Sequence, residues 1–134
     1  MALRVGTDLV SVDAVRGSLR DHAEHYLERV YTEREVQDCR TAKGIDAERL
    51  AARFAAKEAT LKVLRPREEG IPWNSIEVLR DPSGWVELAL SGPAAALASE
   101  AGVTELSLSI AHEGTFASAV VVANCSLESG DARR

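Results

Sequence analysis

The sequence predicts an α+β domain in which an antiparallel sheet packs on one long helix. Three observations predict it. Segments that alternate apolar and polar residues flank short hairpin-type turns in the second half of the chain. A long helical stretch with almost no polar side occupies the middle. The order of elements is strand, helices, two strands, helix, two strands, which belongs to helices laid on an antiparallel sheet.

Taken in order, "LRVGTDLVSV" (3–12) sets Leu3, Val5, Thr7 and Leu9 on one side and Arg4, Gly6, Asp8 and Val10 on the other, the period of a strand. A helix follows from Asp13, a candidate cap, and "HAEHYLERVY" continues it. In "TEREVQDCR", Thr32 with Glu35 three places on forms a capping box. The long helix runs from about Asp46 to Leu64, and Pro66, Gly70 and Pro72 end it. "SIEVLRD" (75–81) and "GWVELALS" (84–91) flank the turn "DPSG". "GPAAALASEAG" (92–102) is a short helix with Pro93 at its first position and Gly102 past its end. "ELSLSIA" (105–111) and "FASAVVVA" (116–123) form a second hairpin around "HEGT". Residues 1–126 make one domain, and "LESGDARR" (127–134) is expected to be a frayed tail.

A hydrophobic fraction of 46% and a charged fraction of 28% are those of a globular protein. No stretch approaches the roughly 18 apolar residues of a membrane helix, and the N-terminus lacks the layout of a secretion signal. No membrane partner is therefore expected. Cys39 and Cys125 are too few and too unpatterned for a metal cluster or a disulfide framework, so two reduced thiols and a cytoplasmic location are expected. The net charge of −5 argues against nucleic-acid binding. Charge is unevenly spread: residues 1–67 hold 13 of the 16 Lys and Arg against 11 acids, net +2, and the remainder is net −7. By charge alone, a mixed helix surface accounts for this better than an anionic partner does.

The central stretch "RFAAKEATLKVL" (53–64) poses the chemical problem. At about 100° per residue, Leu50, Phe54, Leu61 and Leu64 form one apolar stripe, and Ala52, Ala56, Ala59 and Val63 cover the opposite side. Yet Arg53, Lys57, Glu58 and Lys62 lie on it, which is costly for a poorly solvated helix unless each finds a partner. Glu58 and Lys62 share a face four residues apart; in isolation this is an ordinary pair worth about 0.2–0.5 kcal/mol. Ala51 and Ala55 on that face are expected to leave room for a ligand. Lys57 falls in the leucine stripe and is assigned to structure, paired with an acid. Asp8, an acid within an apolar strand, fits equally a bulge or edge with water access and a ligand role. His112 ends a strand at a turn, where histidine is ordinary.

"VGTDLV", "RFAAKEATLKVL" and "LSLSIAHEGTFASAVVVA", in that order, resemble the holo-acyl-carrier-protein synthase family, the short class of 4′-phosphopantetheinyl transferases; "ERVYTEREV" also resembles the segment between the first two motifs. The resemblance spans about residues 3–123. It implies the phosphopantetheinyl transferase-like fold of the short, trimer-forming class. It implies transfer of the 4′-phosphopantetheine arm from coenzyme A to a serine of an acidic acyl carrier protein, releasing adenosine 3′,5′-bisphosphate. Asp8 and Glu58 match the family's magnesium-binding acids, and hard oxygen ligands beside a diphosphate suit that ion. Lys62 matches a catalytic lysine that reaches the phosphate. Arg53 and His112 match residues on the nucleotide's phosphates, the 3′-phosphate included, and "DPSGW", with Gly84, matches the segment that meets adenine through backbone. The general base is left open among a metal-bound water, Glu58 and none strongly engaged. The resemblance also implies a homotrimer with sites between subunits, and Arg16, Arg20, Arg29 and Arg34 offer the carrier a landing surface.

Three positions depart from the family pattern: Glu113 directly follows His112, Trp85 stands where a small or basic residue is common, and Ala14 falls near a position often basic. Strand alternation allows Glu113 to point away from any phosphate. Two rival readings stay open, a coenzyme A-binding homologue with impaired catalysis and a plain α+β interaction domain.

Overall fold

In the computed structural model, which describes residues 1–126, the chain begins with strand β1 (Ala2–Ser11) and helix α1 (Val12–Val30). Ser11 caps α1 by accepting from the Ala14 amide, and a kink at Ala23, held at φ 41°, divides it. Helix α2 (Glu33–Asp38) starts in the expected capping box, with both reciprocal hydrogen bonds of Thr32 and Glu35 formed. Two two-residue strands, β2 (Arg40–Thr41) and β3 (Gly44–Ile45), make a small hairpin that sequence periodicity is too short to reveal. Helix α3 (Ala47–Leu64) follows; the Asp46 carboxylate caps it by accepting from the Glu48 and Arg49 amides. Strands β4 (Ile76–Arg80) and β5 (Val86–Leu90) pair as the first expected hairpin, helix α4 (Gly92–Glu100) follows, and β6 (Val103–Glu113) and β7 (Phe116–Cys125) form the second.

The main sheet has the order β1-β7-β6, all antiparallel, so the chain's first and last strands are neighbours. Helix α3 lies across its inner face. Alternate residues of β7, Ala117, Ala119, Val121 and Ala123, are buried there, as are Ala51, Ala55 and Ala59 of α3. Small side chains on both surfaces let the helix approach the sheet closely. This corrects one expectation: Ala51 and Ala55 are fully buried and leave no space for a ligand.

Gly6 lies where α3 crosses β1. A Cβ there would overlap the carbonyl oxygen of Ala59 and come within 3.1 Å of a Val63 methyl. Backbone cannot yield as a flexible side chain can. Gly6→Ala is therefore expected to cost about 1–3 kcal/mol or more, measured by urea denaturation, and to disturb Asp8, two residues on.

Strand β1 turns Gly6, Asp8 and Val10 toward the helix, while Leu3, Val5 and Leu9 on the other face are 72%, 67% and 64% exposed. The same outer face carries Phe116 and Val120 of β7, also exposed, since Val120 pairs with Thr7 and Phe116 with Ser11. An apolar sheet face of this kind marks a surface that something else covers.

Candidate active site

The site divides into two parts, one on each side of α3. On the β1 side, the close crossing at Gly6 brings Asp8 against the later turns of the helix. Lys62 Nζ donates to Asp8 Oδ1 at 3.1 Å and to the Thr7 carbonyl at 2.7 Å. The Asp8 side chain is only 13% exposed. Glu58 joins them: burial pushes its carboxyl above the usual carboxylate range, and the charge of Asp8 and a hydrogen bond with Asp8 add to that, with Lys62 opposing. Two acids fifty positions apart in sequence, with α1, α2 and the β2–β3 hairpin between them, thus converge, with a cation seated on one of them. Such a pair suits a hard divalent ion that takes one or two carboxylates and fills its other positions with phosphate and water. No group of three or more ligating side chains occurs among the described residues.

On the β6 side is a cleft of about 480 Å³ whose lining includes Arg49, Arg53, Arg80, Gly84, Trp85 and His112. Arg53 is fully buried; one nitrogen donates to the Arg49 carbonyl at 3.3 Å, while Nε and Nη2 have no partner. A buried guanidinium with idle donors is costly by itself, and an anion in the cleft is the kind of group that would satisfy it. His112 pairs across the sheet with Ala117, on the inner side, and its Nδ1 lies 2.7 Å from Glu48 Oε2. Glu113 falls on the opposite face and is exposed, so it does not oppose an anion beside His112. The turn that carries Gly84 and Trp85 is braced by Asp81, whose amide donates to the Trp85 carbonyl at 2.9 Å and whose carbonyl accepts from Gly84 at 2.9 Å. Trp85 stands 76% exposed at the rim of the cleft.

All six sequence-predicted site residues thus fall into these two groups: Asp8, Glu58 and Lys62 in one, Arg53, Gly84 and His112 in the other. The groups face apart. Arg49 and Glu58 are nine residues apart on α3 and so project about 180° from one another. Asp8 and His112 lie on the two edge strands, with β7 between them.

Lys57 has the structural role assigned to it. Its ammonium donates to Glu35 Oε1 at 2.7 Å, to the Trp73 carbonyl at 3.1 Å and to the Ile76 carbonyl at 2.5 Å. Sequence reasoning gave it an acid but not which one. It also passed over Glu48 and Arg80, because a charged residue in a first helical turn or at a strand end carries no signal in periodicity.

The model of the 4′-phosphopantetheinyl transferase superfamily matches residues 4–121, which defines the class. Holo-[acyl-carrier-protein] synthases of Caldanaerobacter subterraneus subsp. tengcongensis and Syntrophotalea carbinolica are 37% and 42% identical, over 92% and 88% of this chain and 95% and 92% of theirs. Among solved structures, the Chronobacterium ammoniagenes ACPS-CoA complex superimposes with a TM-score of 0.84 at 34% identity, covering 95% of this chain and all of that one. The Helicobacter pylori holo-[acyl-carrier-protein] synthase in complex with coenzyme A gives 0.77 at 27% identity, over 90% of this chain and 100% of the other. Within the superfamily, the chain belongs to the holo-[acyl-carrier-protein] synthase family.

Proposed function

We propose that the protein transfers 4′-phosphopantetheine from coenzyme A to a serine hydroxyl of an apo acyl carrier protein. The observation that carries this is the convergence of Asp8, Glu58 and Lys62, paired with a separate cleft holding an unsatisfied buried arginine. The serine oxygen forms a bond to the phosphorus bearing the pantetheine arm as its hydroxyl proton passes to water or to Glu58. The bond from that phosphorus to the bridging oxygen breaks, and adenosine 3′,5′-bisphosphate leaves with the electron pair.

Asp8 and Glu58 would hold magnesium, which supplies charge neutralisation to the diphosphate and its leaving oxygen. Lys62 exchanges its contact with Asp8 for the phosphoryl oxygens, where negative charge grows in the transition state. Arg53 and His112 bind the 3′-phosphate, and the braced Gly84–Trp85 turn borders the adenine. Lys62→Ala is expected to lower kcat roughly 10²-fold with a smaller change in coenzyme A affinity, resolved by comparing steady-state kinetics with calorimetric titration. A loss confined to affinity would make Lys62 a binding residue only.

The protein acts as a homotrimer with each site shared between copies. Two features support this. The carboxylate group and the phosphate cleft of one chain face apart, so one coenzyme A reaches both if a neighbour supplies one of them. The exposed apolar face of Leu3, Val5, Leu9, Phe116 and Val120 offers area to bury in a head-to-tail ring. The acidic carrier docks on α1 and α2 through Arg16, Arg20, Arg29 and Arg34.

The test is to incubate the protein with an apo carrier, coenzyme A and magnesium and to weigh the carrier. A gain of one phosphopantetheine unit is expected. No gain, together with a thermal shift on adding coenzyme A, would leave a binding protein that does not catalyse; neither gain nor shift would leave a plain interaction domain.

A further inference from the structure

Glu48 sits in the first turn of α3 and meets His112 of β6 at 2.7 Å, although the two belong to different elements and neither contact follows from the helix or the sheet itself. His112 lines the cleft and Glu48 does not, so the carboxylate meets the ring from outside the cleft and engages Nδ1, leaving Nε2 as the other ring nitrogen. With Nδ1 committed to Glu48, a neutral imidazole would present only a lone pair at Nε2, which repels a phosphate oxygen. The ring can donate to a phosphate from Nε2 only when it carries both protons, and Glu48 is then the counter-charge on its far side. Arg53, five residues further along α3, lines the same cleft with two of its nitrogens buried without a partner, which an anion there would satisfy. The carboxylate thus backs the imidazole from behind, while imidazole and guanidinium both offer donors to one anion in the cleft.

We propose that Glu48 is a positioning residue which orients His112 toward the 3′-phosphate and thereby sets the preference for coenzyme A over 3′-dephospho-coenzyme A. This rests on the reading of Arg53 and His112 as the 3′-phosphate site. Glu48 touches no substrate, so its effect is confined to the one phosphate that His112 meets. Removing it raises KM for coenzyme A and leaves KM for the dephospho form where it was, whereas general damage to α3 would raise both.

The experiment measures KM and kcat for both substrates with the wild-type protein, Glu48→Gln, Glu48→Ala, His112→Ala and the Glu48→Ala/His112→Ala double variant, each shown to be folded by circular dichroism. Expected are a clear wild-type preference for coenzyme A, its loss in His112→Ala, and a rise of about tenfold in KM for coenzyme A alone in Glu48→Ala. Glu48→Gln, which keeps the length and loses the charge, is expected to lose most of the preference too. The double variant should be no worse than His112→Ala, because both changes remove the same interaction. Full preference retained in His112→Ala would overturn the reading of the 3′-phosphate site itself. Preference lost in His112→Ala but kept in the Glu48 variants would overturn the role of Glu48 alone. Tighter coenzyme A binding in Glu48→Ala would also overturn it, and would make Glu48 a competitor of the phosphate.

Discussion

Asp8→Ala and Glu58→Ala should each abolish transfer, lowering kcat/KM by roughly 10³-fold or more, as expected when several kcal/mol of metal-assisted charge stabilisation is lost. Both variants should fold. Asp8 is partnered by Lys62, whose side chain is 54% exposed and can turn to water, and by Glu58, whose raised carboxyl is relieved rather than stranded when Asp8 is removed. Glu58 without a metal is a strained group: burial and the neighbouring Asp8 raise its carboxyl. An acid whose folded-state titration is raised favours folding while it is protonated, and that advantage disappears as pH rises through the raised value. At neutral pH Glu58→Gln therefore removes a penalty, and the metal-free variant should be at least as stable as wild type. A thermal melt together with the carrier-modification assay checks both halves. Normal turnover in either alanine variant would refute the metal assignment, and a fall in stability for Glu58→Gln would refute the electrostatic account of Glu58.

The sequence made most of this layout legible, and the reasons are local. The capping box at Thr32 and Glu35, the breaker run after Leu64 and the two hairpin turns each follow from chemistry within four or five residues, although the cap of α1 is Ser11 and not the expected Asp13. So did the position of each site residue along the chain, because the motifs are contiguous. What periodicity could not give was which side of an element faces which neighbour. In β1 the more apolar side, Leu3, Val5 and Leu9, is the exposed one, and the side with Arg4, Gly6 and Asp8 faces the helix. Burial of a single chain would favour the reverse. The helix instead follows its small residues: Gly6 admits it and Ala51, Ala55 and Ala59 line it. In sequence Ala51 and Ala55 read as the floor of a ligand groove, because a small side chain signals close approach without saying what approaches. Contacts between distant elements, Glu48 with His112 and Lys57 with Glu35, were out of reach for the same reason.

Lys57→Ala should be the most destabilising single change in α3, costing about 3–5 kcal/mol, as for removal of one member of a buried ion pair. Lys57 and Glu35 are both fully buried. Burial pushes the lysine's titration down, and Glu35 opposes that. All three ammonium protons are used, on Glu35, on the Trp73 carbonyl and on the Ile76 carbonyl. Glu35 is equally committed: Oε1 also accepts from the Thr32 amide at 3.0 Å and Oε2 from the Val78 amide at 2.9 Å. One lysine therefore fixes α2, the turn at Trp73–Ser75 and the start of β4 to the helix, and β4 leads to the hairpin that borders the cleft of Arg53 and His112. Its removal strands a carboxylate and two carbonyls in the core, whereas Lys57→Met refills the volume and leaves the same three acceptors idle. Both variants should fall by more than about 10 °C in melting temperature, with Lys57→Met the milder because it leaves no cavity. Should Lys57→Met melt like wild type, the pair contributes nothing beyond packing. The charge on this helix would then need another explanation.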